Sequence, residues 1–367
     1  MMKRTLVAAL MPLLIGLSTA QAAQIYNKDG NKLDIQGKVN VLRYFSDDNS
    51  NNGDASYARL GFKGETAITD QLTGYGFWQY QYSLKNSEGS DANNGNKTRL
   101  GYAGLKFGQL GSVDYGRNYG LVYDALGYTD MLPVFGGDSA NSDAFLSLRS
   151  GGLLTWRNKD FFGLVKGWNV AAQYEGKNDR TSTTDTGLEV RRSNGDGFAL
   201  STSYDFDFGL SFVGSYASLN RIAAQNTAAF GRGDKAQLWA TAAKYDANQI
   251  YLAAMYGETL NATPINGGFA NKTQNMEVVA QYQFLNGLRP SVGFVTQRGE
   301  NLQGAGNFAG GSQTMQKYIA VGTYYYFNKN MLTYVDYRIN LLKENDFTRA
   351  TGITTKNSIG MGLTYQF

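Results

Sequence analysis

The side chains of this chain that could do chemistry are charges and amides, set at every second position of extended segments. The chain has no histidine and no cysteine. That removes disulfides, thiol nucleophiles, the usual zinc sites and His-based acid–base catalysis. A Ser-His-Asp arrangement cannot be built. Chemistry on Asp, Glu and Lys stays open, but no motif supports it. What remains is a ladder of polar groups. Asp34, Gln36, Lys38 and Asn40 alternate with Leu33, Ile35, Val39 and Val41, and Phe45 continues the apolar side. Arg59, Lys63 and Glu65 oppose Ala58, Leu60 and Phe62, and Gln79 and Gln81 oppose Trp78, Tyr80 and Tyr82. Asn169, Gln173 and Glu175 oppose Trp168, Val170, Ala172 and Tyr174. Glu277, Gln281 and Gln283 oppose Met276, Val278, Ala280, Tyr282 and Phe284, while Asp336, Arg338 and Asn340 oppose Met331, Thr333, Val335, Tyr337 and Ile339. Such rows can select and orient solutes without breaking a bond.

Period two means strands with one apolar and one polar face. The last segment is the clearest: Ile359, Met361, Leu363, Tyr365 and Phe367 share a face, and the chain stops on the aromatic. An aromatic end to an alternating strand suggests the girdle of a transmembrane barrel, and an amphipathic strand of a soluble all-β protein is the alternative. Short turns such as Asp246-Ala247-Asn248, Asn286-Gly287 and Asn328-Lys329-Asn330 alternate with long polar connections at 47–54, 86–96, 177–191, 220–234 and 300–311. A spanning strand with its share of turn and loop takes roughly 20 residues, so the length points to about sixteen strands. Gly304-Ala305-Gly306 has no following Lys-Ser/Thr and reads as a mobile loop, not a phosphate loop.

One connection differs. Residues 119–148 carry Leu121, Val122, Tyr123, Leu126, Met131, Leu132, Phe135 and Phe145, with Asp130, Asp138, Asp143, Pro133 and Gly136-Gly137. A loop this apolar has a small core of its own and folds. It either packs on the outer rim or turns into the barrel and narrows it, and the second reading is preferred.

Residues 1–22 read as a secretory signal peptide: Lys3 and Arg4, an apolar stretch over 5–17, and Ala20-Gln21-Ala22 as a small-x-small cleavage site. The apolar stretch is too short to span a bilayer, and no later run could be a transmembrane helix, so any insertion uses strands. The 45 glycines, 4 prolines and 13% aromatic residues, with a negative mean hydropathy, suit a wall that is apolar on one side only. The net charge of +4, smaller without the leader, is no nucleic-acid footprint. Residues 23–367 read as one domain.

Several segments resemble the enterobacterial general diffusion porins. They include Tyr26-Asn27-Lys28-Asp29-Gly30-Asn31-Lys32-Leu33-Asp34, Tyr57-Ala58-Arg59-Leu60-Gly61-Phe62-Lys63-Gly64-Glu65 and Asp114-Tyr115-Gly116-Arg117-Asn118-Tyr119-Gly120. Leu132-Pro133-Val134-Phe135-Gly136-Gly137-Asp138, Arg192-Ser193-Asn194-Gly195-Asp196-Gly197 and Tyr365-Gln366-Phe367 continue the match in order. The resemblance implies an all-β fold: a transmembrane antiparallel β-barrel of about sixteen strands with an inward-folded third loop, located in the outer membrane. It implies passive diffusion of small hydrophilic solutes and ions, no cofactor, no metal and no catalytic residue. Homotrimers are implied, with lipid and lipopolysaccharide around them, and with assembly machinery reading the strand that ends in Phe367. Carried over by position, the basic side of the constriction is Lys38, Arg59, Arg99 and Arg149, and the acidic loop supplies Asp130 and Asp138. Glu88 matches the residue that reaches a neighbouring barrel, with Arg117 as its partner. Two positions depart from the family pattern: Gln79 and Val134 stand where members carry Glu. Both changes remove a carboxylate from the expected constriction and shift it towards anions.

The competing readings are a barrel-embedded hydrolase, a substrate-selective channel preferring anions or sugars, and an adhesive barrel with a plugged lumen. A sugar channel needs aromatic rings along the pore wall, whereas Trp78 and Trp168 fall on apolar faces.

Overall fold

The structure is a computed structural model that describes residues 23–181, 187–226, 231–265 and 268–367. The leader expected at residues 1–22, and parts of the connections at 177–191 and 220–234, lie outside the described residues. Sixteen long antiparallel strands, from Asn31–Ser46 to Ser358–Gln366, form one closed sheet. Each strand pairs with its neighbours in sequence, and the last closes on the first in the register Lys38↔Gln366 to Ser46↔Ser358. The short strand Ala23–Lys28 pairs with the lower part of the same first strand, from Ala23↔Ile35 to Lys28↔Asn31. Residues 23–28 and the last strand therefore lie along one strand edge, and Phe367 exchanges both backbone hydrogen bonds with Gly37 at 3.0 Å. Closure leaves no unpaired edge.

The alternation sorts as period two predicts, but with the polarity of a soluble protein reversed. Val39, Val41, Leu200, Val335, Met361 and Tyr365 are exposed on the outside, whereas Asp34, Gln173, Glu175, Asn275, Glu277, Gln281 and Asp336 are buried inside. No helix among the described residues is long and apolar enough to cross a membrane. Backbone groups in hydrocarbon must pair within the protein, and a closed sheet of strands meets that demand. At the short-turn end, aromatic pairs line up around the barrel: Phe161 with Trp168 at 3.9 Å, Tyr204 with Phe206 at 4.7 Å, Tyr282 with Phe284 at 4.7 Å, Tyr325 with Phe327 at 5.1 Å. This is the girdle that the terminal aromatic suggested.

Two elements depart from the sequence reading. The last connection, between the strands Met331–Asn340 and Ser358–Gln366, holds a short helix, Asp346–Thr351, whose capping box joins the Asn345 and Thr348 side chains and backbones reciprocally. Its Phe347 is buried against Phe308, Ile265 and Met315, so the loop end has a small apolar cluster. The second departure is the inner face of the strands between 168 and 260. It is rich in apolar residues, Ala171, Ala199, Val213, Ala217, Leu238 and Ala240, whereas the polar faces read from the sequence in other strands carry charges and amides. The third loop covers that wall, so no water reaches it.

Candidate functional site

Residues 120–148 lie inside the barrel. Leu121, Val122, Ala125, Leu126, Phe145 and Leu146 are buried against the apolar wall just described. The loop therefore has no separate core; it shares one with the barrel. The one-turn helix Tyr123–Leu126 docks there, and its Asp124 pairs with Arg157 of the wall at 2.9 Å.

The rest of the loop is held by inward side chains from strands that are far away in sequence. Glu277 is almost fully buried. Its two carboxylate oxygens accept from the Thr129 hydroxyl (3.0 Å), the Gly137 N–H (3.2 Å), and the Ser139 N–H and hydroxyl (2.9 and 2.6 Å). Asp336 accepts from the Val134 and Phe135 N–H groups at 3.0 and 3.1 Å. The Tyr318 hydroxyl accepts from the Gly136 N–H and donates to Asp138. Tyr251, Gln281 and Tyr324 donate to the carbonyls of Tyr128, Met131 and Leu132. Buried backbone groups of an irregular segment need such partners, because inside the barrel few waters would replace them. Two wall glycines allow the close approach. A side chain on Gly293 would meet Leu132 at 2.6 Å, and one on Gly360 would meet Val134 at 2.7 Å.

The four basic residues stand together on the wall opposite these anchors. Lys38 and Arg59 are cross-strand neighbours. The Arg59 Nε donates to Gln81 at 2.8 Å and the Arg99 Nε to Gln79 at 2.9 Å. Arg59 also stacks over the Tyr57 ring at 4.5 Å, and Arg149 lies over Tyr119 and donates to its hydroxyl. Tyr57, Tyr119 and Gln81 complete this cluster; sequence reasoning placed Gln81 on a polar face but gave none of the three a part in it. So too did it miss the anchors: Glu277, Asp336 and Gln281 were seen as polar-face residues, but nothing in their spacing says that a loop lands on them.

Among the described residues, no ion pair within 4 Å links either loop carboxylate to the four cations. Asp130 is exposed, accepts from the Tyr123 hydroxyl at 2.7 Å, and feels the charges of Arg149 and Arg99. Asp138 is half-buried beside Tyr318, and the cation that acts on it is Arg338. The structure thus brings Asp130, but not Asp138, towards the basic wall. Gln79 is a direct partner of that wall; Val134 packs on Gly360. Charged groups opposed across a wet gap set up a transverse field that orients dipolar solutes.

At the loop end, hydrogen bonds from Thr354 and then Ser50 hold the Asp48 carboxyl down at about 2, so the mouth keeps that negative charge. Glu88 is exposed in the second loop, beside a turn fixed by Asn86 donating to the Ala92 and Asn94 carbonyls. Arg117 is paired within its own chain: one terminal nitrogen binds both Asp143 oxygens and its Nε donates to the Thr98 carbonyl. Glu88 and Arg117 are not brought together within the chain.

The family description "Gram-negative porin" matches residues 28–367. The chain is 54% identical to outer membrane protein F of Serratia marcescens and 53% identical to outer membrane porin F of Escherichia coli K12, each over all of both chains. Among solved structures it is similar to an OmpF of Salmonella typhi in complex with daunomycin. That likeness has 46% identity and a TM-score of 0.85, covering 94% of this chain and all of the other.

Proposed function

The chain belongs to the family of Gram-negative porins, and from that premise we propose how its own residues set what passes. It is a non-specific channel of the outer membrane and not an enzyme. Small hydrophilic solutes and ions cross it by passive diffusion. The constriction lies where the third loop faces Lys38, Arg59, Arg99 and Arg149, with Asp130 as the loop carboxylate across from them and Asp138 turned to the wall. The observation that carries this reading is the set of bonds from Glu277, Asp336 and Tyr318 to the loop backbone, which fixes the loop inside the lumen.

Gln79 and Val134 tilt the balance towards anions. Replacing both, Gln79→Glu and Val134→Glu, is expected to move the reversal potential in a salt gradient towards cations. Most of the shift should come from position 79, where the new carboxylate would meet the Arg99 guanidinium. An unmoved reversal potential in the double variant would place both positions outside the solute path.

The same premise supports a homotrimer embedded in lipid and lipopolysaccharide. Glu88 of one barrel would reach Arg117 of its neighbour. Among the described residues the Arg117 Nη1 has no hydrogen-bond partner, since Asp143 takes Nη2 and the Thr98 carbonyl takes Nε. Glu88→Ala is expected to lower the temperature at which trimers split on an electrophoresis gel. Unheated wild-type protein running only as a monomer after mild extraction would refute the trimer. Cleavage after Ala22 would leave Ala23 to open the strand that pairs with the first barrel strand, and the strand ending in Phe367 would be what the assembly machinery reads. Amino-terminal sequencing of the membrane-inserted protein checks the cleavage.

A further inference from the structure

On the loop side of the lumen, away from the four-cation wall, Arg338 has no counter-charge in contact. Its guanidinium carbon lies 5.2 Å from the centre of the Phe135 ring and 5.6 Å from that of Tyr318. Its Nε is buried without a hydrogen-bond partner. Among the described residues its side chain has no ion pair or hydrogen bond. The nearby acid, Asp138, is tied instead to the Tyr318 hydroxyl at 2.5 Å. Asp138 feels the Arg338 charge only across a gap, and guanidinium donors taken partly out of water without a partner are costly.

Arg338 lines a cavity of about 550 Å³ beneath the loops, and Arg191 and Lys317 line it too. No carboxylate is among the described residues that line it, whereas the amides of Asn141 and Asn340 are. Gln316, also on its lining, has a buried Oε1 without a partner, so it does not answer Arg338 either. The cavity therefore carries cations and amides, with the Tyr318 ring on its lining.

We propose that this cavity is a binding station for the anionic group, a carboxylate or a phosphate, of a small hydroxylated solute. Arg338 holds the anion and the amides take its hydroxyls, before the solute meets the Arg59–Arg99 wall. The station rests on the channel reading and adds a second cationic point to it. The aromatic faces beside the guanidinium restrict its motion, which suits a bidentate contact with a flat carboxylate or a phosphate.

The test uses the full protein in a planar bilayer, with glucuronate, glucose 6-phosphate and neutral glucose as probes on the loop side. Both anionic sugars are expected to interrupt the potassium chloride current briefly, and glucose is not. Arg338→Met should shorten the interruptions about tenfold, the loss of ~1.4 kcal/mol of binding, while its current in potassium chloride alone stays near that of the wild type. Arg338→Lys should restore part of the duration. Interruption by only one of the two anionic sugars supports the station and identifies its head group. Equal interruptions in Arg338→Met and wild type, or equal effects of glucose and glucuronate, overturn the station and leave the channel standing. No current from the wild type would overturn the channel itself.

Discussion

Excising residues 132–139 is expected to raise single-channel conductance severalfold and to admit larger sugars into liposomes. The excision leaves the Thr129 hydroxyl on Glu277 to hold the loop just before the cut. It removes Leu132 from its seat on Gly293, Val134 from Gly360, and the backbone groups bound by Asp336 and Tyr318. Nothing else described in that part of the lumen replaces them. A milder variant tests the same point. Glu277→Ala strands up to four donors of the loop, each worth about 1–3 kcal/mol when left buried and unpaired. The expected result is a noisier current with a higher mean. Glu277→Gln keeps the shape and two acceptor lone pairs on one oxygen, and should fall between. Unchanged conductance and size cut-off in the excision variant would place the loop's tip outside the solute path.

Neutralising the basic wall is expected to have the second largest effect. Arg59 and Arg99 are each bonded to a neutral glutamine, so neither is cancelled by a carboxylate in contact. Replacing both by Gln takes two positive charges from the narrowest place and leaves Lys38, Arg149 and the loop acids. A pair of unit charges at ~4 Å interacts by ~1 kcal/mol in bulk water and by more where water is scarce. That is roughly a fivefold change in relative ion permeability per charge met at that distance. The double variant should shift its reversal potential clearly towards cations, and the shift should shrink as salt is raised from dilute to molar, where screening reaches only about 3 Å. A reversal potential like that of the wild type would mean that the wall does not face the permeating ions.

The barrel was legible in the sequence because a membrane wall imposes a strict local code. Each strand must be apolar on alternate residues, so Val39 and Val41 or Met361 and Tyr365 announce their side of the wall without reference to any distant residue. Short turns and long loops were legible for the same reason. The inner face was legible only where it meets water. Between 168 and 260 much of the inner face is apolar as well, since Leu121, Phe145 and their neighbours cover it, and alternation alone does not say which side a loop will cover. The inward course of the third loop followed from its apolar content, but its landing points did not. Glu277 lies 138 residues from the Ser139 it binds, and Asp336 lies 202 from Val134. Those contacts depend on closure of the barrel. Arg338 was read simply as a polar-face residue, because its lack of a partner shows only once Tyr318 and Phe135 are in place.

An open, water-filled barrel, narrowed by its own third loop and biased by a basic wall, has an electrical signature. Single-channel current through the purified wild-type protein, with the reversal potential read in a potassium chloride gradient, tests it most directly. Steady ohmic steps and a weak selectivity, near neutral or favouring chloride, are expected. A protein that inserts but carries no current, or one that passes cations almost exclusively, would contradict it.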